Sequence, residues 1–390
     1  MSPPARQRAV VSRRGAERWS HGHPWIFASD VTHGPPEPGL VVVEDARGKF
    51  LGQALCSPTS EIRLRLLERT ERTVDAAWWE ERLRGAVGRR AGIDATAYRV
   101  VHGEGDGLPS LVVDRYDRWI VAQLLSAGLE TMRADILAAV RRVLAPEGIL
   151  LRNDAPVRRH EALSEGVELV GGDVPKEVEV REGDVRYLAA PWTGQKTGAF
   201  LDQRANRMRA GELAVPGGQA LDCFAYHGSF ALHLARRSAQ VMALDASAEA
   251  LARGARNAAL NGLTNIRWDE GDAFEALRAL ERARTRFETI VVDPPAFAKA
   301  KSAVPQALRG YREINLRAMK LLTTGGVLVT ASSSFHVRRA EFLEAVTAAA
   351  QDSGRTLVLV EHLGQGSDHP EVLTVPETGY LKGVVLRASD

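Results

Sequence analysis

Aspartates stand where three successive strands of the C-terminal half are predicted to end. Asp222 closes an apolar segment, Asp245 closes the next one, and Asp272 closes the third directly after a glycine. Because the carboxyl ends of parallel strands share one edge of a sheet, the three carboxylates are expected to face one crevice. A carboxylate after the second strand is well placed to accept hydrogen bonds from a ribose. The alternative interpretation is that each aspartate only caps a helix.

The turn after the first of these strands limits which nucleoside cofactor is compatible. A dinucleotide pattern G-x-G-x-x-G is absent, because Phe224 and Tyr226 occupy its first two glycine positions and only Gly228 remains. Those side chains would block the close approach of a pyrophosphate. S-adenosylmethionine has no pyrophosphate and carries a positive sulfonium, so it suits a glycine-poor turn rich in carboxylates. We therefore predict this cofactor and no metal, since Cys56 and Cys223 lie too far apart for a cysteine-cluster zinc site.

The segment Asp-Pro-Pro-Ala-Phe at 293–297 is the candidate catalytic turn. Its two prolines fix the backbone and remove two N–H donors, which leaves Asp293 and nearby carbonyls as acceptors. Phe297 offers a ring on which a planar base can stack. Such a turn after a buried strand is typical of nucleobase methylation, and the alternative is a rigid turn with a core phenylalanine. Basic residues follow that would suit phosphates, or a solvated helix face equally well: Lys299, Lys301, Arg309, Arg312, Arg317 and Lys320.

Alternating apolar strands and amphipathic helices must position these side chains. Strands are predicted at 220–226, 240–245, 265–273, 287–295 and 325–333, and helices at 228–237, 247–262, 274–280, 305–322 and 338–351. Two further segments, 356–363 and 380–388, are predicted to pair as an antiparallel hairpin. This pattern predicts a parallel sheet with helices on both faces, and a ligand where the strand order reverses.

The 390 residues are too many for one ordinary core and suggest two or three domains. We place a β-rich domain at 1–72, a central α/β domain at 73–189 and the strand–helix domain at 190–390. The 51 basic and 49 acidic residues give a net charge of +2, which excludes a strongly cationic coat. No apolar run is long enough to span a bilayer or to act as a signal peptide, so we expect a cytoplasmic protein without a membrane partner.

Several segments together resemble the ribosomal RNA large-subunit methyltransferase I family. They are HPWIFASDV (23–31), HGEGDGLPSLVVDRY (102–116), TGQKTGAFLDQRANR (193–207), DCFAYHGSFALHLA (222–235), DPPAFAK (293–299) and DHPEVLTVPETGYLKG (368–383). The resemblance implies an α/β fold: a class I (Rossmann-like) methyltransferase domain behind an N-terminal PUA domain and a small central domain. It also implies an S-adenosylmethionine-dependent enzyme that methylates C5 of a cytosine in 23S ribosomal RNA.

The sequence departs from the family at the expected nucleophile. C5 methylation needs a cysteine thiolate that attacks C6, and the family carries it in a T-x-S-C-S pattern, whereas this chain has Ser333 there. A serine hydroxyl is far less ionised near neutral pH. Three explanations stay open: a deliberate Cys-to-Ser replacement, methylation of another atom such as guanine N7 or an exocyclic amine, or a silent RNA-binding assembly factor. Cys223 is a poor substitute, because strand alternation turns it away from the face of Asp222.

The segment 194–207 is expected to act as a lid over cofactor and base, with Gly194 and Gly198 as hinges. The alternative is a helix start with Asp202 and Arg204 on a solvent-facing side. The predicted catalytic residues are thus Asp293, Ser333 and Phe297. The predicted cofactor-binding residues are Asp222, Phe224, Gly228, Asp245, Ala246, Asp272, Ala273, Asp293, Pro294, Gln203 and Lys196. The expected partner is 23S ribosomal RNA or the large-subunit particle, and a homodimer stays open.

Overall fold

The computed structural model describes residues 7–390, which divide into two compact units. The first unit contains residues 7–178, 189–201 and 367–379. The second contains residues 179–188, 202–366 and 380–390. Both units therefore draw on separate stretches of the chain, and the three-domain division stays a prediction.

A six-stranded sheet opens the first unit. Its strands are β1 (Gln7–Val11), β2 (Trp25–Ile26), β3 (Val31–His33), β4 (Gly39–Asp45), β5 (Phe50–Cys56) and β6 (Leu64–Glu68), with helix α1 (Arg13–Ser20). The strand order is β2-β6-β5-β4-β1-β3. Alternate residues such as Val41 and Val43 are buried, because side chains of a strand point to opposite faces in turn.

A five-stranded sheet completes the first unit. Its strands are β7 (Ala97–His102), β8 (Leu111–Tyr116), β9 (Trp119–Leu124), β10 (Gly148–Arg152) and β11 (Val167–Gly172), in the order β11-β10-β9-β8-β7. The helices are α2 (Ala76–Gly88), α3 (Ala127–Glu130) and α4 (Arg133–Leu144). Trp78, Trp79 and Leu83 of α2 are fully buried in a core shared with this sheet.

A seven-stranded sheet dominates the second unit. The unit holds all but the outermost residues of the ribbon β12 (Val178–Glu182) and β13 (Val185–Ala189). The sheet strands are β14 (Gln219–Cys223), β15 (Gln240–Asp245), β16 (Ile266–Glu270), β17 (Phe287–Val292), β18 (Leu322–Ser332), β19 (Leu357–Leu363) and β20 (Lys382–Ala388). Its helices are α5 (Arg204–Leu213), α6 (Ser229–Ala235), α7 (Ala248–Leu260), α8 (Ala273–Arg282), α9 (Val304–Leu321) and α10 (Arg339–Ser353).

The strand order β16-β15-β14-β17-β18-β20-β19 confirms the predicted α/β class. Strands β14 to β18 run parallel to their neighbours, and β20 pairs antiparallel with β18 and β19. The order reverses between β14 and β17, where open α/β sheets bind ligands. Among residues 7–390, no helix is long and apolar enough to cross a membrane.

Three strands end three residues earlier than the sequence patterns indicate, and β18 ends one residue earlier, at Ser332. Strand β14 ends at Cys223, since Phe224 has a left-handed φ of 63° that extended backbone does not allow. Strand β16 ends at Glu270, two residues before Asp272 caps α8. Strand β17 ends at Val292, directly before the catalytic turn with its two prolines.

Candidate active site

Four aspartates occupy the same edge of the second unit's sheet. Following the order β16-β15-β14-β17, they are Asp272, Asp245, Asp222 and Asp293, each at or just after the carboxyl end of its parallel strand. The strand pairing thus brings together the carboxylates that the sequence predicts at one crevice. The fourth, Asp293, lies across the point where the strand order reverses.

Asp222 is the buried member of this group. Its Oδ2 accepts a hydrogen bond from the Ala231 N–H in the first turn of α6 (2.9 Å), and its Oδ1 has no hydrogen-bond partner among residues 7–390. Burial, followed by the negative charges of Asp293 and Asp245, raises the pKa of Asp222 well above its ordinary value. Since the side chain is fully buried, it holds the start of α6 in place, and direct contact with a cofactor stays a prediction.

Asp245 anchors the turn that follows β14. Its Oδ2 accepts from the Tyr226 N–H (2.8 Å) and its Oδ1 accepts from the Ser247 N–H (2.9 Å). The turn contains three left-handed residues, Phe224 (63°), Tyr226 (49°) and Gly228 (80°). Left-handed backbone at non-glycine residues costs free energy and persists where the surroundings enforce it. The half-buried Asp245 accepts the N–H of Tyr226 and so helps to hold the turn in this conformation.

Gly228 allows close approach of a ring that sequence reasoning missed. A Cβ at this position would lie 2.3 Å from the Trp268 indole, and a Cβ at Gly254 would lie 2.4 Å from the same ring. Trp268 of β16 therefore fills the space left by two glycines, one on the cofactor turn and one on α7. Only a glycine can combine this contact with a φ of 80° at Gly228.

Replacing Gly228 by alanine is expected to displace the turn and to weaken binding of S-adenosylhomocysteine by up to about a hundredfold, because small misplacements of a binding loop carry such costs. Isothermal titration calorimetry measures this. The matched control is Gly262→Ala, where φ is 64° but no atom in the described part of the chain lies within 4 Å of the added Cβ. Equal affinity of the two variants would contradict a role of the turn in binding.

Asp272 and its neighbours have a clear structural role. The Asp272 Oδ1 accepts from the Glu275 N–H (3.0 Å), so this aspartate is the N-cap of α8. Its side chain is exposed, as is Ala246 after β15, whereas Ala273 is buried. Asp272 therefore caps a helix, as the alternative interpretation holds. That it also contacts the cofactor stays a prediction.

Gln203 is brought to the catalytic turn by the start of α5. Its Nε2 donates to the Asp293 Oδ1 (2.8 Å), and its Oε1 accepts from the Asn206 Nδ2 (2.6 Å). The amide is thus oriented from one side by Asn206 and holds Asp293 from the other. Pro294 is buried and Asp293 half-buried, which keeps this carboxylate at the rim of the sheet.

Phe297 lies within an aromatic cluster of the second unit. Its ring centroid is 4.7 Å from that of Tyr311, 6.0 Å from Phe274 and 6.5 Å from Phe224. The backbone of Gly310 on α9 also approaches this ring. This packing agrees with the alternative that Phe297 is a core residue, although its ring is only half-buried. Stacking of a base on it stays a prediction.

A buried hydroxyl network joins the catalytic turn to the end of β18. Ser332 Oγ donates to the Tyr311 hydroxyl (2.8 Å), which bonds Ser334 Oγ (2.8 Å), and Ser334 Oγ accepts from the Ala298 N–H (3.1 Å). Sequence reasoning missed Tyr311, although its phenol lies on the apolar face of a predicted helix, where a hydroxyl requires a partner. This network fixes the position of Ser333 relative to Phe297.

Ser333 itself follows β18 directly and is half-buried. Lys382 of the neighbouring strand donates to the carbonyl oxygens of Ser334 and Tyr380 (3.0 Å for the latter). Burial, and then the charge of Arg339, lower the pKa of Lys382 to about 8. A lysine with a lowered pKa thus lies beside the turn that carries Ser333, a second feature that sequence reasoning missed.

Neither cysteine supplies an ionised thiol here. Cys223 is fully buried in the apolar core of the second unit, and burial raises its pKa. Cys56 is buried in the core of the first unit, and burial raises its pKa to about 11. A buried cysteine of this kind acts as a small apolar side chain rather than as a nucleophile.

Lys196 belongs to the first unit. It is exposed, has a left-handed φ of 55°, and its Nζ lies 5.2 Å from the centroid of the Phe200 ring. Gly194 is enclosed rather than open, because a Cβ there would lie 2.7 Å from the Gly198 carbonyl oxygen. The Gly194 N–H also donates to the Ala190 carbonyl (2.8 Å). A side chain at position 194 would thus clash with the neighbouring backbone. Both the lid and the contact of Lys196 with a cofactor stay predictions.

Comparison with known proteins agrees with this geometry. A family model described as S-adenosylmethionine-dependent methyltransferase matches residues 98–387, and one described as PUA-like domain matches residues 10–69. A solved methyltransferase complexed with SAH covers 97% of this chain and 99% of its own, with a TM-score of 0.84 at 18% identity. A Streptococcus mutans structure described as a SAM-dependent methyltransferase gives a TM-score of 0.82, at 17% identity and with coverage of 97% and 99%. The fold is therefore that of these enzymes.

The protein is an S-adenosylmethionine-dependent methyltransferase with a PUA-like domain. Ribosomal RNA large subunit methyltransferase I of Aeromonas hydrophila is 40% identical over 380 residues, which is 94% of this chain and 95% of that protein. The protein of the same name from Salmonella arizonae is 35% identical over 395 residues, or 97% of each chain. The chain belongs to the ribosomal RNA large subunit methyltransferase I family, which confirms the resemblance seen in its motifs.

The residues at the sheet edge fit this cofactor. The glycine-poor turn leaves little room for a pyrophosphate, and the carboxylates of Asp245 and Asp293 lie on either side of the strand that carries Asp222. Negative charge on both sides favours a cationic sulfonium. The unpartnered Oδ1 of Asp222 is a further polar atom at this edge.

Proposed function

We propose that this enzyme transfers a methyl group to a base of 23S ribosomal RNA, with C5 of a cytosine as the first candidate atom. The observation that supports it is that the Tyr311 hydroxyl network ties Ser332 and Ser334, the neighbours of Ser333, to the Ala298 N–H, which directly follows Phe297. S-adenosylmethionine supplies an electrophilic methyl group on a sulfonium. The target base must be unpaired or flipped out of a helix to reach such a site.

Each of the three residues has a proposed role. Asp293, held by Gln203, accepts a hydrogen bond from the edge of the base. The half-buried ring of Phe297 provides a face for stacking. Ser333 occupies the position from which a nucleophile would reach C6, and Asp245 accepts from the ribose of the cofactor.

A nitrogen atom of the base is the second candidate, and one observation favours it. Ser333 replaces the expected cysteine, and both cysteines of the chain are buried with raised pKa values. Methylation of guanine N7 or an exocyclic amine needs no covalent attack by the protein. For an exocyclic amine, a general base must also remove the proton that the amine loses.

Nucleoside analysis of 23S ribosomal RNA methylated in vitro by the unmodified chain and by Ser333→Cys separates these candidates. If C5 is the target, we expect Ser333→Cys to raise formation of 5-methylcytidine at least about tenfold, because a thiolate is the competent nucleophile. The matched control is Ser302→Cys, which adds an exposed thiol beside the catalytic turn.

A different methylated nucleoside from the unmodified chain would reject C5 in favour of the second candidate. A chain that binds S-adenosylhomocysteine yet leaves all ribosomal RNA unmodified in both forms would overturn the proposed activity and favour an assembly factor. A cytoplasmic location and a homodimer remain predictions.

A further inference from the structure

The basic residues that follow the catalytic turn fall into two groups in the second unit. Arg312 pairs with Asp352 (2.6 Å), Arg317 with Glu281 (2.6 Å) and Lys320 with Glu281 (3.2 Å). By contrast, Lys299, Lys301 and Arg309 are exposed, and none of them pairs with a carboxylate of residues 7–390. The cations nearest the catalytic turn are therefore the ones left without a counter-charge.

An exposed aromatic side chain stands next to these cations. Phe335 is 54% exposed, and its ring lies 5.4 Å from that of His336, which is also exposed. Phe335 directly follows Ser334, and Lys299 directly follows Ala298. The Ala298 N–H donates to Ser334 Oγ (3.1 Å). The exposed side chains of Lys299 and Phe335 therefore start from backbone positions that lie close together.

Arg309 joins the same surface through α9. It precedes Gly310, whose added Cβ would lie 3.3 Å from the Phe297 ring. The exposed cations thus follow the catalytic turn from Lys299 to the second turn of α9. An exposed aromatic ring beside cations that have no carboxylate partner among residues 7–390 matches single-stranded nucleic acid, whose bases stack on aromatic rings while its phosphates pair with cations.

We propose that Phe335, His336, Lys299, Lys301 and Arg309 form a stacking platform for an unpaired RNA strand, which takes the nucleotides that flank the target base. This proposal rests on the proposed function and specifies its substrate as single-stranded at the site. Charge complementarity and the exposed ring select RNA as the occupant. The platform lies wholly in the second unit and is distinct from the PUA-like domain.

The first test measures binding of the full chain to a fluorescein-labelled single-stranded RNA of about 12 nucleotides, a length within known site sizes. We expect Phe335→Ala to weaken this binding about tenfold and to raise KM for ribosomal RNA by a similar factor, as loss of one stacked base does. Phe335→Tyr keeps the ring and should restore binding. Leu359→Ala, at a residue 48% exposed on the edge strand β19, is the matched control and should have no effect.

The second test measures how binding depends on salt. Replacing Lys299, Lys301 and Arg309 together by glutamine should reduce the slope of log K against log salt by about 2, since each phosphate contact of a single strand contributes about 0.7. The control replaces Arg312, Arg317 and Lys320 by glutamine. It removes the same amount of charge from positions on α9 that pair with carboxylates, and the slope should stay unchanged.

The outcomes separate the platform from the proposed function. If the unmodified chain methylates ribosomal RNA but Phe335→Ala binds single-stranded RNA as tightly as the unmodified chain, the platform is wrong and the function stands. Equal slopes for the two charge triples would also reject the platform. If no methyl transfer occurs yet Phe335→Ala weakens RNA binding and leaves S-adenosylhomocysteine binding intact, the platform stands and the activity is wrong.

Discussion

Asp293→Ala is expected to lower kcat/KM for methyl transfer to ribosomal RNA by about 10²- to 10⁴-fold, the range for loss of a positioned acid–base or hydrogen-bonding group. Asp293 is the half-buried carboxylate at the end of β17, and Gln203 holds one of its oxygens. Removing it deprives the base edge of an acceptor and leaves the Gln203 amide without this partner. Single-turnover assays with labelled cofactor measure the effect.

The matched control for this prediction is Asp269→Asn on β16, whose carboxylate is 30% exposed and pairs with Arg267 (2.8 Å). It should retain full activity. Calorimetry with S-adenosylhomocysteine then distinguishes the two proposed roles of Asp293, which are binding the RNA base and binding the cofactor. An affinity within about twofold of the unmodified chain assigns the loss to the RNA base, whereas a parallel loss assigns it to the cofactor. Unchanged kcat/KM would remove Asp293 from the catalytic set.

Glu182→Gln is expected to destabilise the second unit by about 3–5 kcal/mol, because it leaves a buried arginine without its counter-charge. Glu182 accepts from Arg207 Nε (2.8 Å) and contacts His233 Nε2 (2.9 Å). The Glu182 and Arg207 side chains are 1% and 2% exposed. Differential scanning calorimetry should show the transition of this unit lowered by at least about 6 °C.

Two variants control for this effect. Glu179→Gln breaks an exposed pair with Arg186 (3.5 Å) and should shift the transition by less than about 2 °C. Adding Arg207→Met to Glu182→Gln removes the uncompensated charge and should recover part of the loss. A transition of Glu182→Gln equal to that of Glu179→Gln would contradict the role assigned to the buried pair.

The same pair predicts how stability depends on pH. Burial opposes ionisation of Glu182, but the charge and hydrogen bonds of Arg207 outweigh it and lower its pKa from 4.5 to about 2. A carboxyl group with a lowered folded-state pKa stabilises the fold above its unfolded pKa and loses this contribution as the pH falls toward the folded value. The difference between Glu182→Gln and the unmodified chain should therefore shrink between about pH 4.5 and pH 2.

Much of the sheet could be predicted because its signals are local. The segment 240–245 is a strand as predicted, since apolar β-forming residues end there at an aspartate. Strand ends were less predictable where backbone conformation depends on the surroundings. The left-handed Phe224 has no local signature, and Asp245 holds the Tyr226 N–H of the same turn from the neighbouring strand.

Sequence alone therefore determined the strand–helix alternation, the aspartates that close four strands, and the serine at the position of the expected nucleophile, because each depends on residue type and short spacing. Only the tertiary structure decided that Asp293 is held by Gln203, that Tyr311 links Ser332 and Ser334 to Ala298, and which basic residues keep an unbalanced charge. Those contacts join residues far apart in the chain, and pairing, burial and pKa depend on the whole fold that surrounds a group.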